Sequence, residues 1–291
     1  MQEGIEPKVS IITPVLNGEK YIKGCIESVL SQDYPFTEHV FVDGVSKDNT
    51  LTILDDYRQR YSERIIIFSG ADRGPGDAWN RGIGLATGEI LGWLGHDDML
   101  YPGAIGKVVK FFKDKPDAKF VFGECELLNE KDEVIGMYPT GDFDLKAQLN
   151  RRNLIPCTSA FYRKDIFDTI GYFEPDGNDY ECWLRVAEHF PIHRLQGEVL
   201  SQFRIHEEGR SSSQQNAAKV LREVYLASRK HGGSVFGIFS LMYHSYLISE
   251  PLKPVLGWSY PFLRKILRHV YLYSVIEAGE RKEKDRQRVR A

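Results

Sequence analysis

Two adjacent carboxylates, Asp97 and Asp98, follow a buried segment of the sequence. The run Glu89–Leu94 predicts a buried strand, and Gly95 and His96 lead from it into the pair. In open α/β sheets, ligands bind in the crevice outside the carboxyl ends of the strands. Adjacent carboxylates repel each other unless a positive charge lies beside them, and Mg²⁺-like ions use one or two carboxylates plus phosphates. The pair therefore indicates a metal site for a phosphorylated ligand, although a helix-capping Asp-Asp turn fits the same residues.

Three further polar segments could lie at the same edge. Asp43 follows the strand-like run 40–42 and could accept a hydrogen bond from a nucleobase N–H or a ribose hydroxyl. The Gly-rich loop 72–82 could offer N–H groups and arginines to an anion, but it matches no known phosphate-loop pattern. Residues 178–185 open an amphipathic helix with acids in its first turn. These acids fit a general base near a polyphosphate, and they equally fit stabilisation of the helix dipole.

The surrounding elements alternate between strands and helices. Apolar periodicity predicts strands at 8–13, 40–42, 65–68 and 89–94, with helices at 19–32, 46–61 and 77–86. Such alternation predicts an α/β fold with a mostly parallel sheet and helices on both faces. Further on, strands are expected at 119–128, 133–138, 158–162 and 199–205, with helices at 102–114 and 178–190. From about residue 214 onward the chain turns helical.

The composition is that of a soluble globular protein. A net charge of −3 over 291 residues argues against general nucleic-acid binding. The four widely spaced cysteines match no zinc or Cys-x-x-Cys pattern, which favours reduced thiols and a cytoplasmic location. We expect no signal peptide, because the first residues lack a basic segment followed by an apolar one. No apolar run reaches about 18 residues, so we expect no transmembrane helix.

The polar segments form five motifs in a fixed order. They are Thr13-Pro14-Val15-x-Asn17-Gly18-Glu19, Val42-Asp43-Gly44-x-Ser46-x-Asp48-x-Thr50, Asp72-Arg73-Gly74 with Asp77-Ala78-x-Asn80-x-Gly82, Ala86-Thr87-Gly88-Glu89 with His96-Asp97-Asp98, and Asp179-Tyr180-Glu181-x-Trp183-Leu184-Arg185 with Arg204-Ile205-His206 and Ser211. Over about residues 8–212 they resemble the family 2 inverting glycosyltransferases of the bacterial polysaccharide or glycolipid type, which have the GT-A fold. The chain departs from that family's pattern at Gly95, Asn178 and Gly44, where relatives often carry acids.

The resemblance implies a role for each matched residue. The implied nucleotide-binding set is Thr13, Pro14, Val15, Asp43, Asn80, Arg81 and Asp97. Asp98 and His206 match the positions that bind Mn²⁺ or Mg²⁺ at the diphosphate. Asp179 matches the general base, and Glu181 is the weaker candidate. The resemblance implies transfer of a sugar from a nucleotide-diphosphate donor, by default a UDP-sugar, to a glycan or lipid-linked acceptor.

Two other functions remain open at this stage. A sugar-nucleotide nucleotidyltransferase would need a Gly-rich signature with Lys or Arg after the first strand, and residues 13–18 contain none. A non-catalytic nucleotide-sugar-binding protein would have lost acids that are intact here. We predict a glycosyltransferase domain at 1–212, with a nucleotide-binding half at 1–100 and an acceptor half at 101–212, followed by a helical extension at 213–291.

The end of the chain is basic and amphipathic. Residues 255–291 carry nine Lys or Arg against four Asp or Glu. Within them, residues 261–276 place basic side chains at helical spacing opposite an apolar side. This pattern fits a helix at the inner face of the cell membrane, and it equally fits a helix packed on the catalytic domain or on a second subunit.

Overall fold

The structure is a computed structural model that describes residues 6–175, 177–210 and 217–249. Two compact units are present, each assembled from separate stretches of chain. Unit 1 contains the described residues up to Cys125 together with Ile155–Phe203, and unit 2 contains Glu126–Leu154 and the described residues from Arg204 onward. A segment of the predicted first domain thus belongs to the same unit as part of the predicted extension, and the boundary at 212 stays a prediction.

Four parallel strands form one half of the sheet of unit 1. They are β1 (Val9–Val15), β2 (Thr37–Asp43), β3 (Ile65–Ser69) and β4 (Ile90–Trp93), in the order β3-β2-β1-β4. The helices that connect them are α1 (Ile22–Leu30), α2 (Thr50–Arg60) and α3 (Pro75–Leu85). Because all four strands run the same way, their carboxyl ends meet at one edge.

The remaining strands of the sheet add antiparallel pairings. The later elements are β5 (Met99–Leu100), α4 (Ala104–Asp114), β6 (Phe120–Leu128), β7 (Val134–Met137), α5 (Leu145–Asn150), a 3₁₀ turn (Cys157–Ser159), β8 (Ala160–Arg163), α6 (Ile166–Ile170), α7 (Asp179–His189), β9 (Ile192–Arg204), α8 (Ala217–Lys230) and α9 (Ile238–Ser249). Strand β8 lies antiparallel between β4 and β6, and β5 lies antiparallel to β9. The predicted α/β class is confirmed, with parallel pairing among β1–β4.

Helices cover both faces of the parallel strands. On one face, Ile105 and Val108 of α4 join a fully buried cluster with Val9 and Ile11 of β1. On the other, α3 approaches so closely that a Cβ at Gly82 would lie 2.3 Å from Cγ2 of Ile12. Alternate residues of β1 therefore face different helices, as the period of two in a strand requires.

A buried carboxylate joins three strands at the amino-terminal edge. Glu38 is 1% exposed, and it accepts hydrogen bonds from Ser10 Oγ at 2.6 Å and from the Thr87 N–H and hydroxyl at 2.6 and 2.7 Å. Lys8 Nζ lies 2.5 Å from Glu38 Oε2. A Cβ at Gly88 would lie 2.6 Å from Ser10 Oγ. The Thr87-Gly88 motif therefore serves strand assembly, at the opposite edge from Asp97 and Asp98.

Unit 2 is built from a strand pair and helices. The last residues of β6 pair antiparallel with β7. Ser228 of α8 donates a hydrogen bond to the Leu149 carbonyl of α5 at 2.7 Å, and Tyr225 of α8 stacks on Tyr243 of α9 with ring centroids 4.9 Å apart. Within the described ranges, none of the helices has the length and hydrophobicity needed to cross a bilayer. The predicted basic helix within 255–291 lies outside the described residues.

Candidate active site

Two loops at the carboxyl edge of the sheet hold each other in place. They are loop A, residues 16–20 after β1, and loop B, residues 44–49 after β2. Asn17 of loop A donates its N–H to Ser46 Oγ and accepts the Lys47 N–H on Oδ1, both at 2.8 Å. The Gly18 N–H donates to Thr50 Oγ1 at 2.8 Å. The motif residues in these two loops therefore fix the loops to each other.

Two acidic residues complete this contact. Glu19 Oε2 accepts hydrogen bonds from the backbone and side-chain nitrogens of Asn49, both at 2.8 Å. Asp48 Oδ2 accepts the Glu19 N–H at 3.0 Å, and its other oxygen accepts the Thr50 hydroxyl. The pKa of Asp48 lies below its ordinary value because these hydrogen bonds outweigh a desolvation effect that acts the other way. Helix α2 begins at Thr50, so Asp48 stabilises its first turn from within loop B.

The predicted nucleotide seat at the end of β1 presents backbone atoms. The Thr13 side chain is fully buried and meets His39 Nε2 at 2.8 Å. The Val15 carbonyl accepts the Gly44 N–H at 2.9 Å, and Pro14 is half-buried at the strand end. Since the Thr13 hydroxyl is engaged in the core, a ligand at this seat would meet main-chain groups.

Asp43 is the last residue of β2, and its side chain contacts loop B. Its side chain has no exposed surface. The carboxylate accepts the Val45 N–H at 3.0 Å, the Ser46 N–H at 3.2 Å, and the hydroxyl of Ser69 at 2.6 Å. These bonds let Asp43 order loop B and tie it to the end of β3. Contact with a nucleobase stays a prediction for this residue.

Asp72 opens the third motif, but the resemblance assigns it no role of its own. It follows β3, is half-buried, and accepts the Gly74 N–H at 3.0 Å. A Cβ at Gly44 would lie 3.1 Å from Asp72 Oδ2, so this oxygen lies beside loop B. The rule that locates ligands at strand ends, applied to β3, would have found it.

The two residues predicted at the nucleotide diphosphate differ in their surroundings. The Asn80 side chain donates to the Phe173 carbonyl at 2.8 Å and accepts the Phe173 N–H at 2.9 Å. Asn80 therefore holds the segment that leads into α7. The Arg81 guanidinium lies over the Phe68 ring at 4.3 Å from its centre, and Arg81 Nε is buried with no hydrogen-bond partner in the described part of the chain.

The Gly-rich loop before α3 contacts the same segment. A Cβ at Gly76 would lie 1.9 Å from the Glu174 carbonyl oxygen, so only glycine fits here. The Asp77 N–H donates to the carbonyls of Gly74 at 3.1 Å and Pro175 at 3.3 Å. The first N–H groups of α3 thus bind protein carbonyls, which favours an anchoring role for this loop over a phosphate-binding one.

Asp97 and Asp98 converge on one glycine. A Cβ at Gly95 would lie 2.4 Å from Asp98 Oδ2 and 2.6 Å from Asp97 Oδ1. Asp98 is 3% exposed, and its N–H donates to the Gly95 carbonyl at 3.1 Å. The two carboxylates therefore share the space above Gly95. An acidic side chain at position 95 is incompatible with this arrangement.

Asp179 is the first residue of α7, and aromatic packing holds that helix on the sheet. Trp183 is fully buried, and its ring lies 6.4 Å from that of Trp93 and 5.0 Å from that of Phe120. Asn178 caps the helix by accepting the Glu181 N–H at 2.9 Å. The first turn of α7 is thus fixed at both its backbone and its buried side.

Glu181, the weaker candidate for the base, is already committed to an ion pair. Its Oε2 lies 2.9 Å from Arg185 Nε, and both side chains are largely buried. Arg185 also donates to the Ile170 carbonyl at 2.5 Å. This pairing makes Glu181 a structural residue of α7.

The charges of both candidate acids, Asp98 and Asp179, act on the thiol of Cys157. The pKa of its thiol lies well above the ordinary value, chiefly because of burial and then because of the negative charges of Asp179 and Asp98. The thiol also donates a hydrogen bond to Asp179. Asp98 and Asp179 therefore act on one thiol in unit 1. No pattern in the sequence indicates this role, since Cys157 looks there like an ordinary buried cysteine.

The acids of unit 1 fit a divalent ion that is completed by a ligand. No group of three or more His, Cys, Asp or Glu side chains suited to a metal occurs among the residues described. Mg²⁺-like ions, however, need only one or two carboxylates when substrate phosphates supply the other oxygens. The convergence of Asp97 and Asp98 meets that need. His206 lies in unit 2 and is 8% exposed; its metal role stays a prediction.

Residues 10–171 match the sequence model of a protein family described as "Glycosyl transferase family 2". An "Uncharacterized glycosyltransferase" of Rickettsia felis is 33% identical over 69% of this chain and 35% of its own length. A "PGL/p-HBAD biosynthesis glycosyltransferase" of Mycobacterium tuberculosis is 38% identical over 57% of this chain and 62% of its own length. The chain thus spans about a third to three-fifths of these relatives.

Two solved structures share the fold. Staphylococcus aureus TarS in complex with UDP-GlcNAc superimposes with a TM-score of 0.58 at 18% identity, over 93% of this chain and 89% of that one. The mannosyltransferase PcManGT from Pyrobaculum calidifontis, in complex with GDP-Man and Mn²⁺, has a TM-score of 0.59 at 16% identity, over 91% and 85%. These likenesses confirm the predicted GT-A fold.

Proposed function

The chain belongs to glycosyltransferase family 2, and we propose that it transfers a sugar from a nucleotide-diphosphate donor to an acceptor hydroxyl with inversion at the anomeric carbon. The observation that carries this proposal is the convergence of the Asp97 and Asp98 carboxylates above Gly95. This pair follows β4 at the carboxyl edge of the parallel strands, where α/β sheets bind their ligands.

The donor would bind along the ends of β1, β2 and β4. The backbone at Thr13, Pro14 and Val15 would form its seat, with loop A and loop B fixed beside it. Asp97 would hold the ribose. The Arg81 guanidinium, which is positioned by Phe68, would attract the diphosphate. Asp43 and Asn80 would act mainly by ordering loop B and the Phe173 segment.

Asp98 would hold Mn²⁺ or Mg²⁺; the metal role of His206 rests on the resemblance alone. When bound, the ion would neutralise the charge that develops on the leaving diphosphate. The carboxylate of Asp98 suits this role because it is nearly buried beside the Asp97 carboxylate, and a cation between two carboxylates offsets their repulsion. The complex of PcManGT with Mn²⁺ is consistent with this assignment.

Asp179 would act as the general base. Its carboxylate would take the proton of the acceptor hydroxyl while that oxygen attacks the anomeric carbon, and the bond from that carbon to the diphosphate would break in the same displacement. The amino terminus of α7 stabilises the carboxylate before the transfer. The Cys157 thiol would orient it through its hydrogen bond. No covalent sugar–enzyme intermediate is required.

The nature of the donor and the acceptor is also a proposal. The structures of TarS and PcManGT are complexes with UDP-GlcNAc and GDP-Man respectively. These complexes support a nucleotide sugar as donor, and UDP is the default base. For the acceptor we propose a glycan or a lipid-linked sugar in the synthesis of a surface polysaccharide or glycolipid, in a cytoplasmic enzyme.

A thermal-shift screen of UDP-, GDP- and dTDP-sugars, each with and without Mn²⁺, tests donor binding. We expect one donor to raise Tm by several degrees, and by more when Mn²⁺ is present, because a ligand that binds only the native state stabilises it. If no nucleotide sugar shifts Tm under either condition, the proposed activity is wrong.

Replacing the proposed base separates catalysis from binding. Asp179→Asn should lower sugar transfer by about 10² to 10⁴-fold while the donor-induced Tm shift persists, because the amide cannot take the acceptor proton. Glu181→Gln serves as the matched control in the same helical turn and should retain most of the transfer rate. Near-normal turnover by Asp179→Asn would assign the base elsewhere.

A further inference from the structure

The turn between α8 and α9 in unit 2 exposes several large apolar side chains. Phe236 is 84% exposed, Leu241 60%, Val235 47% and Ile238 42%. Leu226 on α8 is 47% exposed as well. Single exposed apolar residues are normal on a folded surface. Four of them within seven positions form a concentrated apolar surface of the kind that marks an interaction site.

Hydrogen bonds hold the backbone of this turn, so the exposure of its apolar side chains is part of the folded structure. The Ser234 N–H donates to Asn150 Oδ1 at 2.6 Å, and the Phe236 N–H donates to Ser234 Oγ at 3.1 Å. A Cβ at Gly233 would lie 2.0 Å from Ser228 Oγ, so glycine is needed for this path. Phe239, which follows Ile238, is 3% exposed and anchors the start of α9. The turn therefore holds Phe236 outward while its neighbours are tied down.

The helix that precedes the turn supplies positive charge. Lys219, Arg222, Arg229 and Lys230 of α8 are all exposed. Glu223 is the one acidic residue between positions 217 and 249 of the sequence. Its carboxylate lies 3.2 Å from Arg210, which neutralises it. The hairpin thus combines an apolar tip with a basic helix, a pairing that suits anionic lipid, whose headgroups attract Lys and Arg while the acyl boundary accepts apolar side chains.

We propose that the α8–α9 hairpin docks on an anionic lipid surface, with Val235, Phe236, Ile238 and Leu241 entering the headgroup region and the basic residues of α8 lying over the lipid phosphates. The basic, amphipathic sequence at 261–276 gives the following segment the same chemical character. The proposal concerns attachment and does not depend on the sugar-transfer activity. If both hold, the enzyme meets a lipid-linked acceptor at the surface that carries it.

Vesicle flotation of the full chain provides the test. Vesicles of phosphatidylcholine with a quarter phosphatidylglycerol should carry the protein upward at low salt, whereas pure phosphatidylcholine should carry much less. Phe236→Ser should reduce the partition coefficient roughly tenfold, since insertion of an aromatic ring contributes on the order of 1–2 kcal/mol. Val134→Ser is the control, because Val134 is 54% exposed on β7 and lies outside the hairpin; it should bind like the parent chain.

A reporter at the tip separates this surface from the rest of the chain. In Phe236→Trp, emission above the background of the parent chain should shift to the blue on anionic vesicles and be quenched by brominated lipid. Equal flotation of Phe236→Ser and the parent chain, or a reporter that brominated lipid fails to quench, would overturn the proposal. So would a dimer that Phe236→Ser dissociates without any vesicle binding, since the partner would then be a second copy.

Discussion

At the scale of single residues, an absent side chain shapes the candidate metal site. Gly95 leaves room for the oxygens of Asp97 and Asp98, which would lie 2.6 and 2.4 Å from a Cβ at that position. Relatives that carry an acid here must arrange the following two carboxylates differently. We therefore expect this site to bind its ion with fewer protein oxygens and to depend more on the donor phosphates.

Gly95→Ala tests this reading. The added methyl group must displace at least one carboxylate, so we expect the donor-induced stabilisation to lose its Mn²⁺ dependence and donor affinity to fall by about tenfold. The Tm without ligands should change little if only the carboxylates move. Calorimetric titration of the donor, with and without Mn²⁺, measures the effect. Unchanged Mn²⁺ dependence would show that the ion binds away from Gly95.

The resemblance implies that Asn80 contacts the nucleotide, which stays a prediction; in the structure its side chain binds the Phe173 backbone. Phe173, the partner in both hydrogen bonds of the Asn80 side chain, lies 93 residues further along the sequence. No local pattern reveals such a pairing. The polar character of Asn80 was therefore visible in the sequence, but its partner depended on how α3 packs against the chain that precedes α7.

At the scale of elements, Asn80→Ala should loosen the attachment of the segment leading to α7. Two buried backbone groups would lose their partners, which costs about 1–3 kcal/mol, and Asp179 would be held less firmly. We expect kcat to fall more than donor affinity, because the change acts on the base. The matched control is Gly84→Ala in the same helix, where a Cβ meets nothing within 4 Å. If Asn80→Ala lowers only donor affinity and leaves kcat unchanged, Asn80 contacts the nucleotide instead.

The elements differ in how far the sequence predicts them. Strands β1–β4 and their helices follow from apolar runs and periodicity, and their bounds agree to within a few residues. Strand β9 was expected at 199–205 but begins at Ile192, because its first half is polar and only partly buried. Its hydrogen bonds to other strands define it, and the sequence contains no local signal of them.

The candidate site shows the same division. Strand-end acids such as Asp97 and Asp98 are predictable, since the carboxyl edge of a parallel sheet gathers them. The hydrogen bond between Cys157 and Asp179 cannot be predicted in this way, because it depends on a fold that brings the 3₁₀ turn to Asp179. Similarly, the polar residues of loops A and B are visible in the sequence as motif residues, whereas their hydrogen bonds to one another are visible only in the structure.

At the scale of the whole molecule, two buried groups make the stability of the fold sensitive to acid. Burial lowers the pKa of His39 to about 3 from an ordinary value of 6.5. Below about pH 6.5 the unfolded chain therefore binds a proton at His39, whereas the folded chain does not. The free energy of unfolding falls as the pH is lowered from there toward 3. The pKa of Glu38 is also lowered, because its bonds to Lys8, Ser10 and Thr87 outweigh desolvation. Its contribution is likewise present at neutral pH and lost on acidification.

The histidine contribution can be measured separately. Between about pH 6.5 and pH 5 it should remove roughly 2 kcal/mol of stability. His39→Gln removes the titration and can still form a hydrogen bond with Thr13 Oγ1. Urea unfolding of both proteins across this range should show a shallower pH dependence for the variant. Parallel curves would mean that His39 has the same pKa in the folded protein as in the unfolded chain.

The mutual attachment of loops A and B has a consequence for engineering. Each loop takes the partners of its polar groups from the other, through Asn17, Glu19, Ser46 and Asp48. A chimaera that receives one loop from a relative would deprive the N–H groups and carboxylates of the retained loop of these partners. Loop exchanges intended to change donor choice in this chain should therefore replace residues 16–20 and 44–49 together, with both segments taken from the same relative.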